Sequence, residues 1–215
     1  MSNFDRNSDP LQHKSKVSLA VKLRGATADA HTAVERLPVM LRLTSQEVTQ
    51  DDYRHYLDIL AGIYVIVETA LYKGLDDALR EHLRIRPKLP MLLRDLEEQV
   101  GHSPVPITER DQGISNVFET RGTSGIVGGI YVLEGATLGG RTIARHLRRI
   151  LGAELGSASF LNFHGEQTSA HWKHFSETLD TLSADGTLLP DEVIDGAIAT
   201  FDAVYRQLEQ ADFTH

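Results

Sequence analysis

Apolar residues recur at three- and four-residue steps along almost the whole chain. Between Val17 and Leu37 the positions Leu23, Ala26, Ala30, Val34 and Leu37 share one face, which predicts a helix stopped by Pro38. Thr49 with Asp52 three positions later forms a capping signal. The stripe Tyr53, Leu57, Leu60, Tyr64, Val67 and Leu71 then runs for about five turns, with Gly74 as its stop. A shorter helix follows Pro87 and Pro90, with Leu89, Leu92, Leu93, Leu96 and Val100 inward and Gly101 at its end. Gly101 to Glu109 reads as a loop, and Gly122 to Leu151 as a long helix unusually rich in glycine. Gly152 to Glu166 is irregular. Trp172, Phe175, Leu179 and Leu182 mark another helix, Asp185-Gly186 a turn, and Ile194, Ala197, Phe201, Val204 and Leu208 a last helix from about Pro190. No segment alternates for long, so strands are not expected. The pattern predicts one all-α domain of six or more helices behind a polar, frayed tail, Met1 to Lys16.

Charge and cysteine content narrow the function. The net charge of −8 leaves no clustered basic face for neutralising phosphates, so nucleic acid is not an expected partner. The chain has no cysteine, which excludes disulfides, thiolate zinc sites, iron–sulfur clusters, thiolate-ligated haem and cysteine nucleophiles. A cytoplasmic location fits that composition. The longest uncharged apolar run, Ile59 to Val67, is far short of the roughly 20 residues a bilayer span needs, and the amino terminus lacks a signal peptide's apolar stretch.

Two segments carry candidate chemistry. In the first helix His31 sits one turn before Glu35 and two turns after Arg24. A histidine whose second ring nitrogen has a carboxylate acceptor suits a metal ligand, and Arg24 could meet an anionic edge of whatever His31 holds. A boundary histidine of an amphipathic helix gives the same spacing. The second segment holds eight glycines from Gly122 to Gly152. Each interior glycine costs a helix about 1 kcal/mol relative to alanine. Gly135, Gly139 and Gly140 therefore serve either close approach of another helix or close approach of a flat ligand to bare backbone. His171 and His174 are spaced to chelate a metal, but nothing nearby in sequence completes a site, and a solvated face is the simpler reading. His146 belongs to the basic stretch Arg141 to Arg149, expected on the solvated side. His164 has no role assignable from spacing. His13, His55, His82, His102 and His215 read as surface or tail residues. Paired Glu-x-x-His segments, a Gly-x-Ser-x-Gly elbow and His-Glu-x-x-His are all missing.

Taken together, three segments resemble the haem oxygenase family, in particular its bacterial, biliverdin-producing branch. Leu23-Arg24-Gly25-Ala26-Thr27 with Ala30-His31-Thr32 and Glu35 is similar to the proximal helix. Gly129-Ile130-Tyr131-Val132-Leu133-Glu134-Gly135-Ala136-Thr137-Leu138-Gly139-Gly140, continuing to Arg145-His146-Leu147, is similar to the distal helix. Phe163-His164-Gly165 through Trp172 and Phe175 is similar to a third family segment, and the likeness spans about residues 17 to 210.

The resemblance implies a single-domain helical fold with haem sandwiched between proximal and distal helices. It supplies His31 as the axial ligand to iron, Glu35 as the acceptor orienting its ring, and Arg24 as the partner of a haem propionate. Lys173 is a weaker candidate for that last task, and Tyr131 is placed with the cofactor-binding residues. Gly135, Gly139 and Gly140 are the expected catalytic surface, where a side chain would block dioxygen. Haem is then both cofactor and substrate, cleaved with dioxygen and external electrons to biliverdin, carbon monoxide and ferrous iron. An electron donor such as a ferredoxin or flavin reductase and a bilin-binding photoreceptor are the implied partners. One position departs from the pattern: many members carry an aspartate directly after the first distal glycine, and here Ala136 stands there. A haem carrier or sensor on the same fold, a thiamin-acting relative (which needs a cysteine) and a ligand-free helical interaction module are the competing readings.

Overall fold

The computed structural model describes residues 17–100, 118 and 120–212. The expectations for Met1 to Lys16, for the loop Gly101 to Glu109, and for His13, His102 and His215 lie outside the described residues. Among the described residues the chain is helical and has no strand. In chain order the helices are α1 (Leu19–Ala26), α2 (Ala28–Glu35), α3 (Pro38–Leu43), α4 (Gln50–Lys73), α5 (Asp77–Leu83), α6 (Leu89–Val100), α7 (Thr123–Leu151), α8 (Thr168–Ala184) and α9 (Pro190–Asp212). Short 3₁₀ turns at Gly152–Leu155 and Gly165–Gln167 interrupt the connection from α7 to α8.

The single first helix expected from periodicity is two. Thr27 closes α1 and opens α2, with its hydroxyl donating to the Leu23 carbonyl at 2.8 Å. That side-chain bond competes with the ladder and lets the axis turn. Pro38 does not stop the run; α2 has already ended at Glu35, and the proline starts α3, where its missing N–H is harmless. By contrast α4 begins as expected. Thr49 and Asp52 form a reciprocal capping box, with Asp52 N donating to Thr49 Oγ1 at 3.2 Å and Thr49 N to Asp52 Oδ2 at 2.7 Å.

Helix α4 is the central element, with Tyr53, Leu57, Val67 and Leu71 fully buried against its neighbours. It is also the one described helix long and apolar enough to cross a membrane, and its place in the core accounts for that composition. The most extensive helix pair is α7 with α9. Glycines set its spacing. A Cβ on Gly128 would fall on the Val193 carbonyl oxygen, one on Gly196 would fall on the Gly125 carbonyl oxygen, and one on Gly129 would meet Leu71 and Thr200. Farther along α7 the bareness serves something else: beside Gly139 there is open space within 4 Å.

The two uses of glycine predict opposite responses to alanine. Gly128→Ala forces α9 away and is expected to lower the melting temperature by roughly 5–10 °C. Gly139→Ala adds a good helix former in open space and is expected to leave it unchanged or raise it by up to about 3 °C. Thermal melts of the two variants, followed by helical circular dichroism, check the contrast, which equal losses would refute.

Candidate active site

A cavity of about 720 Å³ lies between α1–α2 on one side and the second half of α7 on the other, within the range of small-molecule sites. Arg24, Thr27, His31 and Glu35 line the first wall; Tyr131, Gly135, Ala136, Gly139 and Gly140 line the opposite one. Tyr56 and Tyr64 of α4, Trp172 of α8 and Phe201 of α9 close it.

The first wall is a short helix presented outward. No residue of α2 is buried, and the His31 side chain is 60% exposed. Its Nδ1 lies 3.5 Å from Glu35 Oε2, and its ring meets Phe201 edge-on with centroids 6.1 Å apart. Helical spacing, i to i+4, brings the carboxylate to the ring. Turning Nδ1 to Glu35 directs the other nitrogen elsewhere, the arrangement that favours a metal-binding imidazole.

The opposite wall is backbone. Gly139 faces open space, and Gly135 touches only Trp172, at 3.6 Å from a built Cβ. Gly140 also borders the cavity, but its bareness serves packing, since a Cβ there would stand 2.7 Å from the Leu161 carbonyl oxygen. Tyr131 is buried and packs on Trp172 with centroids 5.5 Å apart. Burial pushes the Tyr64 hydroxyl well above its ordinary range and also raises that of Tyr56, so both remain neutral donors.

These observations fit haem. A flat macrocycle needs a slot bounded by a ligand nitrogen on one face and little bulk on the other, and a basic group for its carboxylates. His31, the Gly135–Gly139 surface and Arg24 provide those features in one cavity. Lys173 is not brought to it. That side chain is 76% exposed, stands 3.8 Å from Glu177, and is not part of the lining.

A second constellation adjoins the cavity, which its member Lys88 also lines. Glu134, fully buried, is held by three donors: Lys88 Nζ at 2.5 Å on Oε1, and His171 and His164 Nε2 at 2.9 and 3.1 Å on Oε2. Burial pushes the Glu134 carboxyl up, but the Lys88 charge and the three hydrogen bonds outweigh it and hold it well below the usual carboxylate range. Glu68, also buried, accepts from the backbone N–H groups of Lys88 and Leu89 at 2.7 and 2.8 Å, so one carboxylate caps the start of α6 while another takes the lysine's ammonium. Burial dominates at Glu68 and raises its pKa.

His171 is therefore not on a solvated face, and it does not pair with His174, whose Nε2 lies 3.1 Å from the His82 carbonyl. His164 has a partner after all. His146 is also more engaged than its basic surroundings suggested, with Nε2 2.8 Å from the Ser45 carbonyl. Glu134, His164 and His171 are close enough to suggest a metal centre. Their geometry argues otherwise: the imidazoles stack at 3.7 Å and 20°, so no single ion sits in both ring planes, and Lys88 already neutralises the carboxylate. No local spacing rule joins positions 134, 164 and 171. The available signal was an acid alone in the apolar run Ile130 to Leu138, a place where a carboxylate persists only with buried partners.

The family model described as Heme oxygenase matches residues 17–210. The chain belongs to the haem oxygenase family. It is an enzyme of that family, and haem is the ligand that membership of the family supports. A search of curated protein sequences returns no match. Solved structures with similar folds include a haem oxygenase from Leptospira interrogans, at TM-score 0.74 and 19% identity over 90% of this chain and 100% of that one. Another is the haem oxygenase of the cyanobacterium Synechocystis in complex with haem, at 0.72 and 19% over 90% and 92%. A third, from Neisseria meningitidis in NO- and CO-bound forms, aligns at 0.65 and 18% over 91% and 92%.

The Glu134 cluster makes acid stability of this haem oxygenase specific. A carboxyl whose folded pKa is depressed contributes stability above its unfolded value, lost as pH falls toward the folded one. In the haem-free protein Glu134→Gln is expected to lose about 3–5 kcal/mol at pH 7, because Lys88 is left buried without its counter-charge. The gap to wild type should shrink steadily below about pH 4.5 as wild type alone loses the Glu134 contribution. Denaturant melts between pH 7 and pH 3 measure this, and a constant gap would contradict it.

Proposed function

We propose that this haem oxygenase forms biliverdin, with haem as cofactor and substrate held between His31 and the Gly135–Gly139 backbone. The observation that carries the reading is the cavity, walled by an oriented imidazole on one side and bare helix on the other. Bound there, haem supplies the redox chemistry, in which dioxygen and external electrons convert it to biliverdin, carbon monoxide and ferrous iron.

The residues supply position and surroundings. His31 would hold iron as a neutral imidazole, and the Glu35 carboxylate, 3.5 Å from its Nδ1, would accept from that N–H and so set tautomer and ring rotation. Arg24, at the cavity edge, binds a propionate carboxylate. Gly135 and Gly139 leave room for dioxygen over the distal face, while Gly140 keeps the helix seated on Leu161. Tyr131 and Trp172 pack the edge. Ala136 offers no carboxyl to hold water, so that task falls in this reading to neutral hydroxyls among the lining residues, Tyr56 and Tyr64 among them. Supply of electrons by a ferredoxin or flavin reductase, delivery of product to a bilin-binding photoreceptor and a cytoplasmic location complete the reading.

Hemin titration followed by absorption spectroscopy tests it. Wild type is expected to form a one-to-one histidine-type complex that converts to biliverdin when a reductant is added in air. His31→Ala should lose the histidine-ligand band and conversion should fall by at least about a hundredfold. A stable wild-type complex that never converts would favour a carrier or sensor, and no complex would remove the site assignment.

A further inference from the structure

Three glycines within six residues leave the distal stretch of α7 soft, and its own side chains do little to fix it. It is nevertheless pinned at both ends of the opening. At one end Glu134 is gripped by Lys88, His164 and His171; at the other Gly140 sits against the Leu161 carbonyl. Between them Trp172 rests on Gly135, and Arg141 just beyond reaches Glu166 at 3.0 Å. All but one of these outside partners belong to the segment from Leu161 to Trp172, which lies along α7 as a strap.

The strap is itself fixed. Asp95 of α6 accepts from the Ser157 hydroxyl and the Phe160 N–H, both at 2.7 Å, and Glu98 accepts from Ser157 N–H at 2.9 Å. Ala158 between them holds a left-handed backbone, φ +50°, a conformation that persists in a residue with a Cβ only where its surroundings impose it. Arg86 and Lys88 lie over the Phe163 ring at 4.6 and 5.0 Å.

We propose that Glu134 is a positioning residue, whose bonds to Lys88, His164 and His171 fix the distal backbone over the cavity and thereby decide which meso carbon of haem is opened. The inference rests on the function proposed above. Stability alone does not call for an ion here, since a buried salt bridge is generally no better than well-packed apolar residues of the same volume. What the carboxylate adds is direction. Three donors, one from the start of α6 and two from the strap, meet two oxygens, so the helix cannot slide or rotate without breaking a bond, whereas leucine at the same place would tolerate either. A backbone ceiling held in register presents the same bare faces, Gly135 and Gly139, to the same part of the macrocycle each time. Glu134 works by holding position rather than by giving up a proton, because its carboxyl stays ionised throughout the neutral range.

The experiment uses the full chain and two variants, Glu134→Gln and the apolar pair Lys88→Met/Glu134→Leu. The first readout is amide hydrogen exchange of the haem-free protein. Exchange over residues 135–141 is expected to rise by at least about tenfold in both variants, while amides of α4 in the apolar pair keep wild-type protection. The second is the biliverdin isomer ratio after hemin reconstitution, expected to pass from one dominant isomer to a mixture in both variants. The apolar pair matters because it removes the buried unpaired charge that could unfold Glu134→Gln. A folded apolar pair with wild-type exchange and a single isomer would overturn the proposal, as would a mixture from wild type itself. Failure of wild type to bind hemin would instead remove the underlying function, and the exchange readout would still judge the anchor.

Discussion

Helix α7 has to meet α9 at backbone distance and, two turns later, stand bare over a cavity. Both demands are met by leaving out side chains, yet they pull the helix in different directions. Packing at Gly128, Gly129 and Gly196 rewards closeness, so the helix pair locks there without needing ionic contacts. Openness at Gly135 and Gly139 gains nothing from packing and leaves a stretch of weak helix former. The first demand is met with α9, and the second is compensated by the Leu161–Trp172 strap. Glycine within one helix thus has two physical meanings, distinguished by what a Cβ would meet.

That division shows why the sequence was readable to different depths. Helix existence followed from the period of apolar residues, because burying one face is what forms these helices, as the unbroken stripe of α4 and its capping box show. The break at Thr27 was not visible, since its cause is one hydroxyl choosing a carbonyl four residues back rather than any lapse in pattern. His31 with Glu35 was legible because its logic lies within two helical turns. The glycine helix gave two readings at once: packing accounts for Gly128, Gly129 and Gly140, while open cavity space, the room the ligand reading requires, lies beside Gly139. Lys173 shows the reverse limit: a cation near the right segment in sequence is exposed beside Glu177 and does not line the cavity. The cluster around Glu134 joins residues 30, 37 and 46 positions apart, so only the fold assembles it.

The buried acids share one structural role. Glu68, Asp95 and Glu134 each accept at least two hydrogen bonds from chain that would otherwise be loop: the entry to α6, the bend at Ser157 to Phe160, and the strap with Lys88. A loop has few apolar contacts to hold it, and its free N–H groups need acceptors when covered. Carboxylates projecting from α4 and α6 supply those acceptors from rigid helices, and Glu134 of α7 instead ties down side chains of the irregular chain. Irregular chain is thereby given a fixed shape beside the cavity, which hydrophobic burial alone, being non-directional, does not provide.

The two walls of the cavity consequently differ in stiffness. The distal wall is bolted at Glu134 and Gly140 and backed by a strap fixed to α6. The proximal wall is α2, eight residues with none buried, held by half-buried Ala30 and Val34 and by the ring contact between His31 and Phe201. Few apolar contacts place α2 at the low end of local stability. In the proposed function the His31 imidazole, carried on such an element, would be free to adjust to its ligand, and Glu35 would move with it because both belong to neighbouring turns of α2. In the function proposed above, a rigid ceiling and a compliant floor would divide the work: the floor would accommodate the macrocycle, and the ceiling would decide where on it the reaction falls. Reversing that allocation would fix the His31 imidazole and let the bare backbone of Gly135 and Gly139 drift, so the anchor belongs on the glycine side.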